Sequence, residues 1–271
     1  MPLLVNGARV DLARPTGDMI RAHPHLEEKA KLLRSQPAQI VEPKGLLYVQ
    51  QREFAVTTPK DGSVSILGSD DATTCHIVVL RHTGSGATCL THCDGSDTEA
   101  EVSLIMSSVK AFSNSSGCGR LEVHLVGGFN DDRQLSQKLT NQLLRAFDLQ
   151  PEDVHLVTFC VTELNDREEQ DIHFPIIYGI AVNVKTAEIF PATFPVKGPD
   201  EDLRSAHILT GAPPWLPVQP PCVLTADQHL RCEDRTAPDW ALFLGAFPTC
   251  GFLAGTRRCT DFTEPFHVTP G

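Results

Sequence analysis

A polar run, Gly68-Ser69-Asp70-Asp71-Ala72-Thr73-Thr74, leads directly into Cys75-His76 and then into the apolar stretch Ile77–Leu80. A cysteine where a polar loop becomes a strand is held by rigid backbone yet lies near the surface, as a thiol nucleophile requires. Position alone does not assign it, because free cysteine is among the residue types most often simply buried. A thiol nucleophile also needs a base that takes its proton and later returns it to the leaving group. His76 is adjacent, but strand side chains alternate between faces, so it points away from Cys75. His92 sits on the next apolar run, Ala87–Cys93, and a hairpin through His82–Gly86 would bring it opposite Thr74 or Cys75. Cys75 with His92 is therefore the better pair, although a lone histidine is more often a core or solvated residue. Asp94, directly after Cys93, could orient the imidazole, hold a substrate ammonium, or begin a turn before a helix. Gly127-Gly128, at another strand end, would let a backbone approach a ligand or form a plain turn. Glu163, Asp166 and the charges up to Asp171 read as a solvated loop. His76, His82, Cys89 and Cys93 match no common zinc spacing. Motifs for phosphate loops, dinucleotide folds, HExxH sites and CxxC pairs are all missing.

These side chains need elements to place them. Gly45–Gln51, Glu53–Thr57 and Ser63–Leu67 read as short strands, the last two separated by the turn Pro59-Lys60-Asp61-Gly62. Thr74–Arg81 and Ala87–Cys93 form the hairpin just described. Val102, Ile105, Met106 and Val109 recur at helical spacing within Glu99–Phe112, behind a Ser96/Glu99 capping box. Leu121–Val126 is a strand, and Asp131–Phe147 is the clearest helix, with Leu135, Leu139, Leu143, Leu144 and Phe147 on one stripe. Strands follow at Val154–Glu163, Pro175–Val184 and Glu188–Phe194. The pattern predicts a mixed α/β (α+β) domain with a largely antiparallel sheet covered by two helices.

A length of 271 residues and 41% hydrophobic content suit a globular chain with a sizeable core. The net charge of -11 argues against nucleic acid and anionic membranes as partners. No long apolar run predicts a membrane span, and the N-terminal region lacks the form of a signal peptide. The nine cysteines are then expected to be reduced thiols of a cytoplasmic protein, with the nucleus also open to it. Near residue 211 the composition shifts: Pro213, Pro214, Pro217, Pro220, Pro221 and Pro238 punctuate a segment without sustained periodicity. The expected organisation is one domain over 1–210 and a poorly ordered tail over 211–271.

Segments 45–95 (with SDDATTCH and THCDG), 118–147 (opening CGRLEVHLVGGFND) and 155–190 closely resemble protein N-terminal asparagine amidohydrolases of animals. The resemblance is nearly continuous over about residues 1–206. It implies an α/β sandwich of the cysteine–histidine deamidase type, with Cys75 as the nucleophile; the hairpin geometry adds His92 as acid–base. The implied reaction hydrolyses the side-chain amide of an N-terminal asparagine in a protein or peptide, giving N-terminal aspartate and ammonia. That product would feed arginylation and ubiquitin-dependent degradation. A carboxylate from Asp70, Asp71 or Asp94 would hold the free α-ammonium. Oxyanion donors would come from backbone N–H groups near Cys75 or from the hydroxyls of Thr74 or Ser69. No cofactor or metal is expected, and the protein is expected to be a monomer. Beyond about Ala206 the sequence departs from the family pattern, as an alternative exon or frame change would make it. An inactive isoform that binds N-terminal asparagine, and a cysteine peptidase or transglutaminase-like enzyme, are the competing readings.

Overall fold

In a computed structural model of the protein, the described residues are 2–113, 118–198, 201–202 and 204–205, with the backbone of 216–217. The strands are β1 (Leu3–Val5), β2 (Ala8–Arg9), β3 (Gln39–Ile40), β4 (Leu46–Tyr48), β5 (Glu53–Thr57), β6 (Ile66–Ser69), β7 (His76–His82) and β8 (Thr88–Cys93). They continue with β9 (Leu121–Gly127), β10 (Val154–Val161), β11 (Asp166–Glu169), β12 (Ile172–Pro175), β13 (Ile180–Asn183), β14 (Ile189–Thr193) and β15 (Leu216–Pro217). Helices are α1 (Thr16–Ala22), α2 (Pro24–Arg34), α3 (Thr98–Ser113) and α4 (Leu135–Asp148).

Eight strands form the main sheet in the order β15-β5-β8-β7-β9-β10-β1-β2, and a second sheet runs β3-β14-β13-β6-β4. The centre of the main sheet, β5-β8-β7-β9, is antiparallel, while β9, β10 and β1 run parallel to one another. Antiparallel neighbours follow from the tight hairpin joining β7 to β8. Parallel β9 and β10 need a long crossover, and α4 supplies it. Helices α3 and α4 pack together on one face of the main sheet. Helix α2 and the second sheet cover the other: Cys160 of β10 reaches the Ala30 carbonyl of α2, and α2 also touches β14. The result is the layered α/β sandwich expected. Its interior holds Ile77, Leu80, Leu90, Ile105, Leu125, Leu143, Phe147 and Phe159, all essentially inaccessible to solvent. Burying a side chain of that size contributes roughly 1.5–3 kcal/mol.

Several expectations change. The region before residue 45 carries α1, α2 and three short strands, so the described residues hold more than the two helices expected. Glu163 to Asp171 is not an irregular loop: a short 3₁₀ turn leads into the hairpin β11–β12. The Ser96/Glu99 capping box does not form; the Asp97 carboxylate accepts the Ala100 N–H at the start of α3 instead. Asp131 lies outside α4 and caps it from a distance, accepting the N–H groups of Leu135 and Ser136. Leu216–Pro217 pairs in parallel with Glu53–Phe54. The poorly ordered tail expected for the rest of 211–271 lies outside the described residues. No helix among the described residues is long and apolar enough to cross a membrane.

Candidate functional site

Strand β7 is tied to β8 on one side and β9 on the other, with His76 opposite both Cys93 and Gly127. Cys75 immediately precedes this doubly paired strand, so its backbone is fixed while its thiol is only partly buried. Gly127 is part of that fixation. It adopts φ 128°, and a Cβ there would lie 2.6 Å from the Cys75 carbonyl oxygen. Of the two readings open for Gly127, close backbone approach is the one realised, though to Cys75 itself.

The alternation of β7 and β8 sorts the histidines. His76 Nε2 lies 2.7 Å from Thr140 Oγ1 of α4, on the helical face. His92 pairs in register with Ile77 and turns to the opposite face, where its Nδ1 lies 2.8 Å from Ser69 Oγ of β6. Continuing the alternation of β7 back by two residues from Ile77 puts Cys75 on the His92 face. The expected register is thus corrected: His92 stands opposite Ile77, two positions beyond Cys75 and diagonal to it. His92 is 3% exposed, and its Nε2 has no hydrogen-bond partner. A neutral imidazole with its proton on Nδ1, donated to Ser69 Oγ, would present Nε2 as a free base. In that arrangement Ser69 Oγ accepts from the ring and orients it, while its own O–H stays available to donate.

Both members of the pair are uncharged at neutral pH. Burial, followed by the negative charge of Asp94, pushes the Cys75 thiol up to about 11, and only Arg52 opposes it appreciably. Burial lowers His92 to about 4, against the partial counteraction of Asp94 and Asp71. The site therefore holds a thiol and an imidazole rather than a preformed thiolate–imidazolium pair.

The three carboxylates are all engaged by protein donors. Asp70 accepts the Tyr48 hydroxyl at 2.6 Å and the Phe194 N–H at 3.2 Å, and pairs with Lys197 at 3.0 Å. Asp71 is exposed, adopts φ 61°, and pairs with the same Lys197. Together with the Lys197 ammonium above the Tyr48 ring, these contacts pin the loop that delivers Cys75. Asp94 accepts Arg52 Nε at 2.6 Å, Gln51 Nε2 at 3.0 Å and the Ser96 N–H at 3.0 Å. Burial opposes its ionisation, but hydrogen bonds from Ser96, Gln51 and Arg52 outweigh it and hold the carboxyl below its ordinary range. Asp94 is the carboxylate whose charge acts on both Cys75 and His92. Thr74, just before the nucleophile candidate, accepts Ser136 Oγ at its carbonyl.

Among the described residues, no group of three or more His, Cys, Asp or Glu side chains is placed to hold a metal ion. The residues of the imagined zinc site are committed elsewhere: His82 to Ser85, and Cys93 to Glu101. A cleft of about 460 Å³ lined by Arg14, Thr16, Gln137, Asn141, Arg145 and Glu163 contains none of the candidate residues. Sequence reasoning missed Arg52, Tyr48, Lys197 and Glu101. Only Glu101 left a signal, since it precedes Ile105 by four residues and so lies on the buried stripe of α3.

A family model described as protein N-terminal asparagine amidohydrolase matches residues 36–219, beyond the limit expected near 206. The protein N-terminal asparagine amidohydrolase of Sus scrofa is 75% identical over 213 residues, covering 79% of this chain and 68% of the relative. That of Homo sapiens is 72% identical over 213 residues, covering 79% and 69%. A plant relative of the same name, from Arabidopsis thaliana, is 29% identical over 185 residues, covering 60% and 50%. With the family match spanning Cys75, His92, Ser69 and Asp94 alike, this chain belongs to the protein N-terminal asparagine amidohydrolase family.

Proposed function

We propose that this protein hydrolyses the side-chain amide of N-terminal asparagine in proteins and peptides, with Cys75 as nucleophile and His92 as acid–base. The observation that carries the reading is the unpartnered, buried Nε2 of His92 on the face that Cys75 shares, in a chain of this family. Because both groups start neutral, the thiol proton passes to His92 Nε2 as Sγ attacks the amide carbon. The imidazolium so formed protonates the departing amine, and ammonia leaves. Water then attacks the thioester, with His92 again taking a proton, to release an N-terminal aspartate and the free thiol. Ser69 keeps the ring oriented through both half-reactions. The hydroxyls of Thr74 and Ser69 and the backbone N–H groups around Cys75 are the candidate donors to the developing oxyanion.

Asp94 is the best placed of the three carboxylates for the substrate α-ammonium, since its charge is felt at Cys75 and His92 together. An ammonium there would offset the negative charge that holds the thiol protonated. Recognition of a free terminus and activation of Cys75 would then be one event. Substrates in this reading are proteins with a free asparagine terminus, handled by a monomer without nucleic acid, membrane or cofactor. The aspartate product would enter arginylation and ubiquitin-dependent degradation in the cytoplasm.

Ammonia release from an Asn-initiated peptide tests this. Turnover should be lost with acetyl-Asn and Gln termini, and should vanish in Cys75→Ala. Equal rates on free and acetylated termini, or cleavage of the peptide bond, would overturn the assignment.

A further inference from the structure

Behind β8, on the face turned away from His92, α3 contributes a carboxyl group to the core. Glu101 is fully buried, and no Lys, Arg or His among the described residues forms an ion pair with it. Its Oε1 contacts Thr91 Oγ1 at 2.5 Å and is hydrogen-bonded to the Cys93 thiol, while Oε2 has no partner. Thr91 Oγ1 also lies 3.1 Å from the Glu53 carbonyl oxygen.

Counting hydrogens decides what this arrangement holds. A hydroxyl owns one hydrogen, and a carboxylate and a carbonyl are both pure acceptors. If Glu101 were ionised, Thr91 could satisfy only one of its two oxygen neighbours. A proton on Glu101 resolves the conflict: the carboxyl O–H donates to Thr91 Oγ1, and the Thr91 O–H donates to the Glu53 carbonyl. It also removes a buried charge that has no counter-ion. Burial itself pushes the Glu101 carboxyl up to about 8, against the hydrogen bonds from Cys93 and Thr91 that lower it.

We propose that Glu101 is held as a neutral carboxylic acid and is a positioning residue for His92, gripping β8 at the two residues that flank the imidazole. The positioning role rests on the reading of His92 given above. Thr91 and Cys93 point toward α3 and His92 points away, so fixing the first two fixes the angle of the third. The relay continues to the corner before β5. There Glu53 receives the Thr91 hydrogen bond, and the neighbouring Arg52 N–H donates to the His92 carbonyl at 3.0 Å. Arg52 in turn holds Asp94. One buried acid thus braces both the base and the carboxylate beside it without touching substrate.

The protonation claim is read without turnover, from the infrared difference between the intact protein and Glu101→Gln at neutral pH. A protonated carboxylic acid C=O stretch present in the first and missing from the second is expected. Loss of ionised carboxylate bands instead would overturn the proposal. The positioning claim is read from kinetics and from the His92 ring resonances. Glu101→Gln stays neutral and can still donate to Thr91, so it should retain most of the turnover. Glu101→Leu and the isosteric Thr91→Val should each lower kcat by on the order of 10- to 100-fold, with KM little changed and the His92 ring signals displaced. Should Glu101→Leu fail to fold, Thr91→Val carries the test alone. Wild-type kcat with unmoved His92 signals in Thr91→Val would overturn the positioning role, as would equal losses in the Gln and Leu variants. If the protein proves inactive on asparagine termini, the infrared band and the ring signals still decide the matter.

Discussion

Replacing Asp94 by asparagine should make the Cys75 thiol more reactive and the enzyme less active at the same time. Cys75 is raised from 9.0 to about 11, first by burial and second by the Asp94 charge. Each unit of pKa is a tenfold change in the thiolate population, so at neutral pH Cys75 carries ~100-fold less thiolate than an unperturbed cysteine. Asp94 is the second cause after burial, so its removal should recover part of that rise. That corresponds to a rise of roughly 2- to 10-fold in alkylation rate at a fixed pH near 8. His92 moves the other way: Asp94 is the leading charge that opposes its burial, so Asp94→Asn leaves a still weaker base. The assay is iodoacetamide labelling of the Cys75 peptide by mass spectrometry across about pH 7 to 11, with exposed Cys118 read in the same digest. Wild-type labelling should rise steadily to beyond about pH 10, and the variant curve should lie at lower pH. Turnover on an asparagine peptide should fall. A wild-type midpoint at or below the ordinary thiol value of ~8.5 would mean a preformed ion pair and refute the neutral-pair reasoning. Slower labelling in the variant would refute the role given to Asp94.

Ser69→Ala leaves the His92 Nδ1–H without its partner at a fully buried position. It should cost about 1–3 kcal/mol of stability and lower kcat more than it alters KM, as urea titration and steady-state kinetics can check. Gly127→Ala drives a Cβ against the Cys75 carbonyl from a backbone angle that disfavours side chains. A lowered melting temperature with reduced Cys75-dependent turnover is expected, and an unchanged melting temperature would contradict it. His76, His92 and His124 are each lowered to about 4 by burial, from an ordinary 6.5. All three stay neutral in the fold, whereas the unfolded chain protonates below ~6.5, so stability is greatest above that pH and falls as pH drops toward ~4. At 1.36 kcal/mol per unit, each contributes up to ~3 kcal/mol to the loss, and His124→Gln should flatten the pH dependence of the urea midpoint.

Where local pattern and local geometry coincide, the fold was legible from residues alone. Leu139, Leu143 and Phe147 repeat on one face of α4, and the apolar runs on either side of His82–Gly86 can pair only as a hairpin. The N-terminal helices were not, because Pro15, Pro24 and two short apolar stripes give α1 and α2 little signal; the packing of α2 on β10 and β14, and of α1 on α2, is settled by tertiary contacts. At α4 the start signal, Asp131, precedes the helix by four residues for a related reason. An aspartate ahead of an apolar stripe is a start signal, but Asp131 acts across an intervening turn rather than at the cap.

The candidate site divides along the two faces of β8. His92 could be reached from sequence because alternation excludes His76 and the hairpin offers a second strand; the exact register required the bulk of both neighbours of β7. Arg52, Tyr48, Lys197 and Glu101 could not be reached that way, since each acts through a partner far along the chain or on another element. Lys197 is the clearest instance: its ammonium joins Asp70 and Asp71 from a strand end formed more than a hundred residues later. No local period encodes such a contact. The same geometry explains why Asp70, an attractive ligand for an ammonium on paper, is a poor one in the fold. Tyr48, Lys197 and the Phe194 N–H already occupy its oxygens, and an incoming ammonium would have to displace a cation of its own kind. Asp94 is as fully engaged, by Arg52, Gln51 and the Ser96 N–H, and what distinguishes it is that its charge resists the ionisation of the Cys75 thiol.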